Sequence, residues 1–289
     1  MTLFDLQAII LSGLVLASLY VLMSTGLAIV WSSLRIFNFA YGALMSLGAY
    51  AAWTFSDRLP VAVSLSAVLA MVVLFGVGVL LERLLVEPFA NRSDISLVAI
   101  ITTLAASIFV ENSIQIIWGP RLKRLDPIVT GSVEVLGTKI SMQEAMIVIC
   151  APLLLLLLWF LLKNTRLGMA IRAVEQNSDA AYLAGVNPRL VYAITFGISS
   201  SLAAVCGIML GSLRFITPTM GAAPRLKAFI VVILGGLSSL GGTIASAYFL
   251  GLLEAVSTSF VGLYWTPVVL FTLMIVVLIF KPSGLFGRD

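Results

Sequence analysis

Two carboxylates stand where an ionised group is expensive. Glu111, in SIFVENSIQ, and Glu254, in FLGLLEAVSTSF, both lie inside long apolar runs. An acid surrounded by hydrocarbon faces a cavity, a water path or a partner on a neighbouring helix, because isolated it would not stay charged. Glu254 shares a helix face with Ser257 and Thr258 by the three-and-four rule. That face offers an acid and hydroxyls to a small polar ligand, or lets Glu254 pair with a neighbouring helix. The rest of the inventory is sparse: histidine is absent, and the two cysteines, Cys150 and Cys206, lie in separate apolar runs. No zinc site, haem pocket, Ser-His-Asp triad or Cys-His dyad can be assembled from such a set. No GxxxxGK[ST] segment is present to cradle a nucleotide's phosphates. The chemistry left open is recognition and passage of a ligand, with no metal and no cofactor bound by this chain.

The elements that carry these residues follow from composition. Of 289 residues, 61% are hydrophobic and 10% charged, and the mean hydropathy is +1.12. That leaves too little polar surface for a water-soluble globule. The reading is an all-α integral membrane protein, a single transmembrane domain over residues 1–289, in which a run of roughly 20 apolar residues suffices to cross the hydrocarbon. Nine candidate spans emerge, eight if one is broken or re-entrant: Leu6–Trp31, Ile36–Phe55, Pro60–Leu81, Ile95–Trp118, Ala145–Leu162, Val191–Leu213, Ala228–Leu240, Gly242–Phe260 and Trp265–Phe280. Before Leu6 the only charge is Asp5, so a cleaved leader is not expected. The net charge of +4 is dispersed through the loops, which suits lipid headgroups and protein partners rather than nucleic acid. Basic residues divide almost evenly between the two sides, so they do not orient the chain. The cysteines read as small buried side chains rather than a disulfide.

A repeat suggests how the spans are arranged. Laid at a constant offset, SLRIFNFAYGALMSLGA and SLRFITPTMGAAPRLKA share Ser33/Ser212, Leu34/Leu213, Arg35/Arg214, Gly42/Gly221, Ala43/Ala222 and Ala49/Ala228. Five spans separate the copies, so they run in opposite directions: an inverted repeat, about 6–118 and 191–281, around a connecting span 145–162. Each copy is interrupted, by Arg35, Asn38 and Gly42 in the first and by Pro218 and Pro224 in the second. In such folds the ligand path lies at the repeat interface. The expected path therefore joins Asn38, Phe39, Tyr41 and Gly42 to Glu254, Ser257 and Thr258, and to the break LGGLSSLGG around Gly235 and Gly236, where glycines let backbones approach. Between the repeats, residues 119–142 read as a connecting loop in which Val133, Val135 and Ile140 alternate around Gly137, a small hairpin lid.

One polar passage fits none of this. RAVEQNSDAAYLAGVNPRL interrupts a chain that is otherwise mostly apolar. Asn177 or Ser178 can cap a short helix, Ala180, Ala181 and Leu183 give it an apolar face, and Gly185 ends it before Pro188. A helix so short needs tertiary contacts to persist.

Four blocks, GLAIVWSSLRIFNFAYGALMSLGAYAAW, RLGMAIRAVEQNSDAAYLAGVNPRLVYAITFGISSSLAAVCGIMLG, KAFIVVILGGLSSLGG and FKPSGLFG, come in the order found in the permeases of branched-chain amino acid ABC transporters. The chain resembles the shorter, H-type permease of that family over nearly its whole length. One departure is Tyr41, where the family usually has histidine before the glycine. The resemblance implies a multi-pass subunit of the bacterial inner membrane that works with a second permease, identical or distinct. It also implies two ATPase subunits, which hold the ATP and Mg, and an extracytoplasmic binding protein that delivers the ligand. It further implies that loop 119–142 is extracytoplasmic and that the loop 163–190 is cytoplasmic and docks on the ATPase. The coupling residues would be Arg166, Gly168, Arg172, Glu175, Asn177, Ala180, Ala181, Leu183, Gly185 and Val186. The ligand would be a branched-chain or other hydrophobic amino acid; an importer of urea or short-chain amides and a self-contained ion-coupled carrier are the alternatives.

Overall fold

Lipid cannot satisfy a backbone amide, so a chain this apolar must close its hydrogen bonds within helices. The computed structural model describes residues 3–58, 62–90, 94–135, 138–237 and 239–287, and it is helical almost throughout. In chain order the helices are α1 Leu3–Leu34, α2 Tyr41–Arg58, α3 Val63–Leu85, α4 Ile95–Trp118, α5 Met142–Asn164, α6 Arg166–Gln176, α7 Ser178–Leu183, α8 Pro188–Leu213, α9 Ala222–Gly235, α10 Leu240–Val261 and α11 Thr266–Phe280. A short 3-10 turn, Glu87–Phe89, follows α3. The hairpin expected before the connecting span is present: β1 Ser132–Val135 pairs antiparallel with β2 Thr138–Ser141, and Val133 lies opposite Ile140. Its turn at Gly137, like Pro60 and Ser238, lies outside the described residues.

Among the described residues, six helices are long and apolar enough to cross a membrane: α1, α3, α4, α5, α8 and α10. The chain is thus a multi-pass, all-α membrane protein. The expected count of eight or nine crossing helices reduces to six on length and apolarity alone, because α9 and α11 have only 14 and 15 residues and α2 is more polar. Three boundaries also move. The second span was expected from Ile36, yet α2 starts at Tyr41: Arg35 adopts a left-handed φ of 58°, and the Asn38 side chain accepts the Ala40 amide at 3.0 Å, a local turn that competes with helix. The seventh was expected from Ala228, yet α9 starts at Ala222 and takes Arg225 and Lys227 into its first turns. The connecting span starts at Met142, where Ser141 and Glu144 form a capping box.

α1 and α8 form the centre. α1 packs along α10 and α8 packs along α3, while α8 also meets α1 and α2. Water-driven burial is weak between helices in lipid, so backbone proximity and interhelical hydrogen bonds carry the association. Both occur here. A Cβ on Gly207 of α8 would strike the carbonyl of Met45 in α2, and one on Gly251 of α10 would strike the backbone of Ala17 in α1. Ser199 donates to the Gly26 carbonyl of α1 at 2.7 Å, and Ser201 to the Met71 carbonyl of α3 at 2.9 Å. The outer helices face lipid with residues such as Val72, Ile116, Leu157 and Ile279, all exposed. Cys206 is buried in the centre and Cys150 is partly buried on α5, both as thiols.

This packing makes a paired prediction. Gly207→Val, which forces a side chain into the Met45 backbone, should cost about 3 kcal/mol. Gly76→Ala, at a mid-helix position of α3 with open space around it, should be neutral or stabilise by about 0.5 kcal/mol. Unfolding midpoints of the detergent-solubilised variants decide the matter; equal midpoints would contradict it.

Candidate functional site

Where α2 and α9 begin, the two interrupted segments meet. The backbones of Gly42 and Gly221 approach so closely that a Cβ on either would overlap the other's carbonyl, and the Gly221 amide donates to Ser46 Oγ at 3.2 Å. The non-helical stretch before α2 is satisfied by side chains from elsewhere. The Phe39 amide donates to Thr103 of α4 at 3.1 Å, and Arg225 donates from Nη1 to the Phe39 carbonyl at 2.6 Å. The same Arg225 nitrogen donates to Ser107 at 3.1 Å, and Ser107 donates in turn to Glu111 Oε1 at 3.1 Å. Glu111 is thereby tied through a hydroxyl to a cation on α9. Asn38 is buried, and its Nδ2 has no hydrogen-bond partner among the described residues. Tyr41 is fully buried, its ring lying against Gly26 of α1.

Glu254 occupies a different centre. Its Oε1 takes Lys227 of α9 at 2.5 Å, with side-chain exposures of 5% for the acid and 26% for the lysine, and its Oε2 accepts the Tyr20 hydroxyl of α1. One carboxylate therefore joins α1, α9 and α10. Glu254 and Thr258 also line a cavity of about 310 Å³ together with Arg214. Ser257 is buried. Thr258 exchanges a hydrogen bond with Thr266 at 3.1 Å.

The residues expected to share one path are thus distributed over three places. Gly42 closes on Gly221, Glu254 and Thr258 line the cavity beside Arg214, and Gly235 and Gly236 lie at the break between α9 and α10. There Gly236 has φ 87°, Gly235 packs on Gly242 and Thr243, and the tail residues Phe286 and Gly287 cover Gly236. Arg214, Arg225, Lys227 and Tyr20 were missed from the sequence. Three of these stand in the second repeat copy, SLRFITPTMGAAPRLKA, and were hidden by reading Arg225 and Lys227 as flanks of an apolar run.

The polar passage forms two helices at one end of the bundle. Thr165 caps α6, accepting the Gly168 amide at 3.2 Å, and Gly168 lies so close to the Leu161 and Leu162 carbonyls that it admits no side chain. Arg172 donates to the Leu162 carbonyl. Arg166 opens α6 and Glu175 lies near its end; burial raises the Glu175 carboxyl above its ordinary value, opposed by Arg35 and Arg172. The α7 cap is Asn177, which accepts the Asp179 and Ala180 amides at 3.0 Å. Its end is a Schellman turn: Val186 donates to Ala181 and Gly185, at φ 87°, to Tyr182. One expectation is corrected. Ala180, Ala181 and Leu183 do not form one apolar face, because Ala181 packs inward on Ile171, Val174 and Val191 while the other two are exposed. What projects is Leu183, 87% exposed, with Tyr182, 66% exposed.

Residues 9–278 match the family described as branched-chain amino acid transport system, permease component. The chain belongs to this family. It is 31% identical to the high-affinity branched-chain amino acid transport system permease protein LivH of Escherichia coli K12, over 96% of this chain and 94% of that one. It is 28% identical to the corresponding permease protein BraD of Pseudomonas aeruginosa, over 96% and 95%. A shorter likeness, 35% over 85 residues, reaches the ribose import permease protein RbsC of Haemophilus influenzae, covering 29% of this chain and 26% of that one. No solved structure matches the chain. In this permease family member, the ion pair that joins three helices is open to test. Lys227→Met should cost about 3 kcal/mol, because it leaves a buried carboxylate unpaired. Adding Glu254→Gln should recover most of that loss in detergent unfolding titrations; a single variant as stable as the parent would contradict the role.

Proposed function

We propose that the chain is a membrane-spanning permease subunit of an ATP-driven importer for branched-chain or other hydrophobic amino acids. The observation that carries the reading is the family match over residues 9–278. Near full-length similarity to LivH and BraD supports the substrate class. The chain itself transports and does not hydrolyse ATP, since no phosphate-binding glycine loop is present. An ATPase pair, a second permease and an extracytoplasmic binding protein complete the assembly in a bacterial inner membrane.

In this reading α6 and α7 are the coupling element. They place an exposed Leu183 and Tyr182 on a helix of six residues, held rigidly by the Asn177 cap, the Gly185 turn and the inward packing of Ala181. A helix this short transmits force only if it is fixed to the spans, and Gly168 and Arg172 fix it to the end of α5. Leu183 would fill a groove on the ATPase.

The same proposal takes the two halves as an inverted repeat, α1–α4 and α8–α11. It is supported by the reciprocal packing of α1 on α10 and α8 on α3 and by the meeting of the equivalent glycines Gly42 and Gly221. With α6 and α7 in the cytoplasm, the loop between α10 and α11 lies outside.

Two outcomes are expected. Leu183→Glu should leave assembly intact but reduce transport per ATP hydrolysed at least about tenfold, the effect of burying an unpaired charge at an interface. Normal coupling in that variant would exclude α7 as the docking element. In a background lacking Cys150 and Cys206, cysteines at Leu183 and at Tyr264, 85% exposed, should react with an impermeant thiol reagent from opposite sides. Reaction from one side only would exclude the topology.

A further inference from the structure

Glu82, near the end of α3, is 1% exposed, and neither carboxyl oxygen has a hydrogen-bond partner among the described residues. Both oxygens are also closed to water, because an atom with no accessible surface leaves no room for a water beside it. Glu254, the other deeply buried acid, has a lysine on one oxygen and a tyrosine on the other. Glu82 has neither, and the packing around it explains why. The buried residues of α3 recur at every fourth position, Ser66, Ala70, Leu74, Gly78 and Glu82, which puts them on one face of the helix. That face lies on α8: Ser201 donates to the Met71 carbonyl, the Phe75 ring covers Gly197, and Gly78 closes on Ser200 and the Phe196 carbonyl. Numbers rise along α3 as they fall along α8, so the two helices are antiparallel and Glu82, one turn past Gly78, meets the first turns of α8. One turn further on, Val86 clusters with Phe196, Ile36 and Ala99. The carboxyl is held between a glycine contact and an apolar cluster.

Ionisable groups surround this joint without donating to Glu82. On α3 the neighbouring Arg83 is exposed. After α3, Glu87 pairs with Arg189 of α8 at 3.5 Å. Tyr192 of α8 is half-buried, its hydroxyl engaged with Ser178 of α7, where Asp179 follows. The flanking ends of α1 and α4 carry Arg35 and Asp94, while Asp57 and Arg58 of α2 lie at the opposite end, beside the start of α3. Of these charges, Glu87 repels a negative Glu82 and Arg83 attracts it.

A carboxylate shut away from water and from every donor is far higher in free energy than the same group as a neutral acid. The position gives that acid a use. α8 follows α7 after only a short turn, so any displacement of α7 reaches the spans through the turns of α8 that cover Glu82. We propose that Glu82 is a proton-binding site: it holds its proton while α3 is packed on α8, as in this structure, and releases it to water when that joint opens. In the release the O–H bond breaks, the proton passes to water, and the carboxylate left behind is solvated. Proton occupancy then sets the balance between the closed and open joint, which shifts up to about tenfold for each pH unit. The link to transport rests on the importer reading, which puts α7 in the cytoplasm; the protonation of Glu82 in the closed joint does not.

The test begins with the full chain in detergent. At pH 7 the infrared spectrum of the parent should show the carbonyl stretch of a protonated carboxyl, and Glu82→Gln should lack it. Unfolding titrations across pH 5 to 8 add a readout that a merely structural carboxylate would not move. The folded parent keeps a proton that the unfolded chain loses above the ordinary carboxyl range of about 4, so its stability falls as pH rises. The folding constant of Glu82→Gln, and of the apolar Glu82→Met, should therefore rise relative to the parent by up to about tenfold per pH unit. A ratio independent of pH, or parent and Glu82→Gln spectra identical in the protonated-carboxyl region, would overturn the site. In the complete importer in proteoliposomes, the ratio of leucine uptake by the parent to that by Glu82→Gln should change with pH on the α7 side. Identical pH profiles would overturn the role of the proton in the joint. A parent complex that takes up no leucine at all would instead overturn the importer reading, and the infrared and unfolding results would still decide the proton site.

Discussion

Helices in lipid gain little from burying apolar side chains against one another, so this fold depends on how closely their backbones can approach. Gly207 on Met45, Gly251 on Ala17 and Gly42 on Gly221 are contacts at which no side chain fits. They seat α1 and α8 at the centre, and the serines of α8 then reach the carbonyls of α1 and α3. The interruption before α2 is tolerated for the same reason. Its free carbonyl and amide at Phe39 are met by Arg225 and Thr103, which can reach them only because the half-helices α2 and α9 start side by side.

Charge is placed where that packing leaves room. Glu254, Lys227 and Tyr20 tie α1, α9 and α10 together in a network whose oxygens are each occupied. Removing any member strands another in a low-dielectric interior. The Arg225, Ser107 and Glu111 chain does the same between α9 and α4. α6 and α7, by contrast, are held by caps and turns, and among polar exposed residues such as Arg166, Arg172 and Asp179 they project the apolar Met169, Tyr182 and Leu183. The result is a tightly packed framework with one corner at which Tyr182 and Leu183 protrude.

Much of this was legible in the sequence. Apolar runs located the long helices, Asn177 and Gly185 bounded α7, and Val133 facing Ile140 gave the hairpin, because capping, turn and alternation signals are local. The boundaries of α2 and α9 were not, since the non-helical backbone at Phe39 is held by Thr103 and Arg225 and the inclusion of Arg225 and Lys227 in a helix depends on partners far along the chain. For the same reason Glu254 could be singled out as costly while its partners Lys227 and Tyr20 could not. Ala180, Ala181 and Leu183 were grouped on one face because a six-residue helix has too few positions to define a face by periodicity; Ala181's neighbours Ile171 and Val191 decide where it packs.

The central claim, that this chain moves an amino acid only when driven by a separate ATPase, is tested most directly by measuring leucine accumulation in proteoliposomes containing the chain alone or with its co-purified partners, with and without enclosed ATP. Accumulation only with the ATPase subunits and ATP present is the predicted result. Accumulation by the chain alone under an imposed ion gradient would contradict it and make the protein a self-contained carrier.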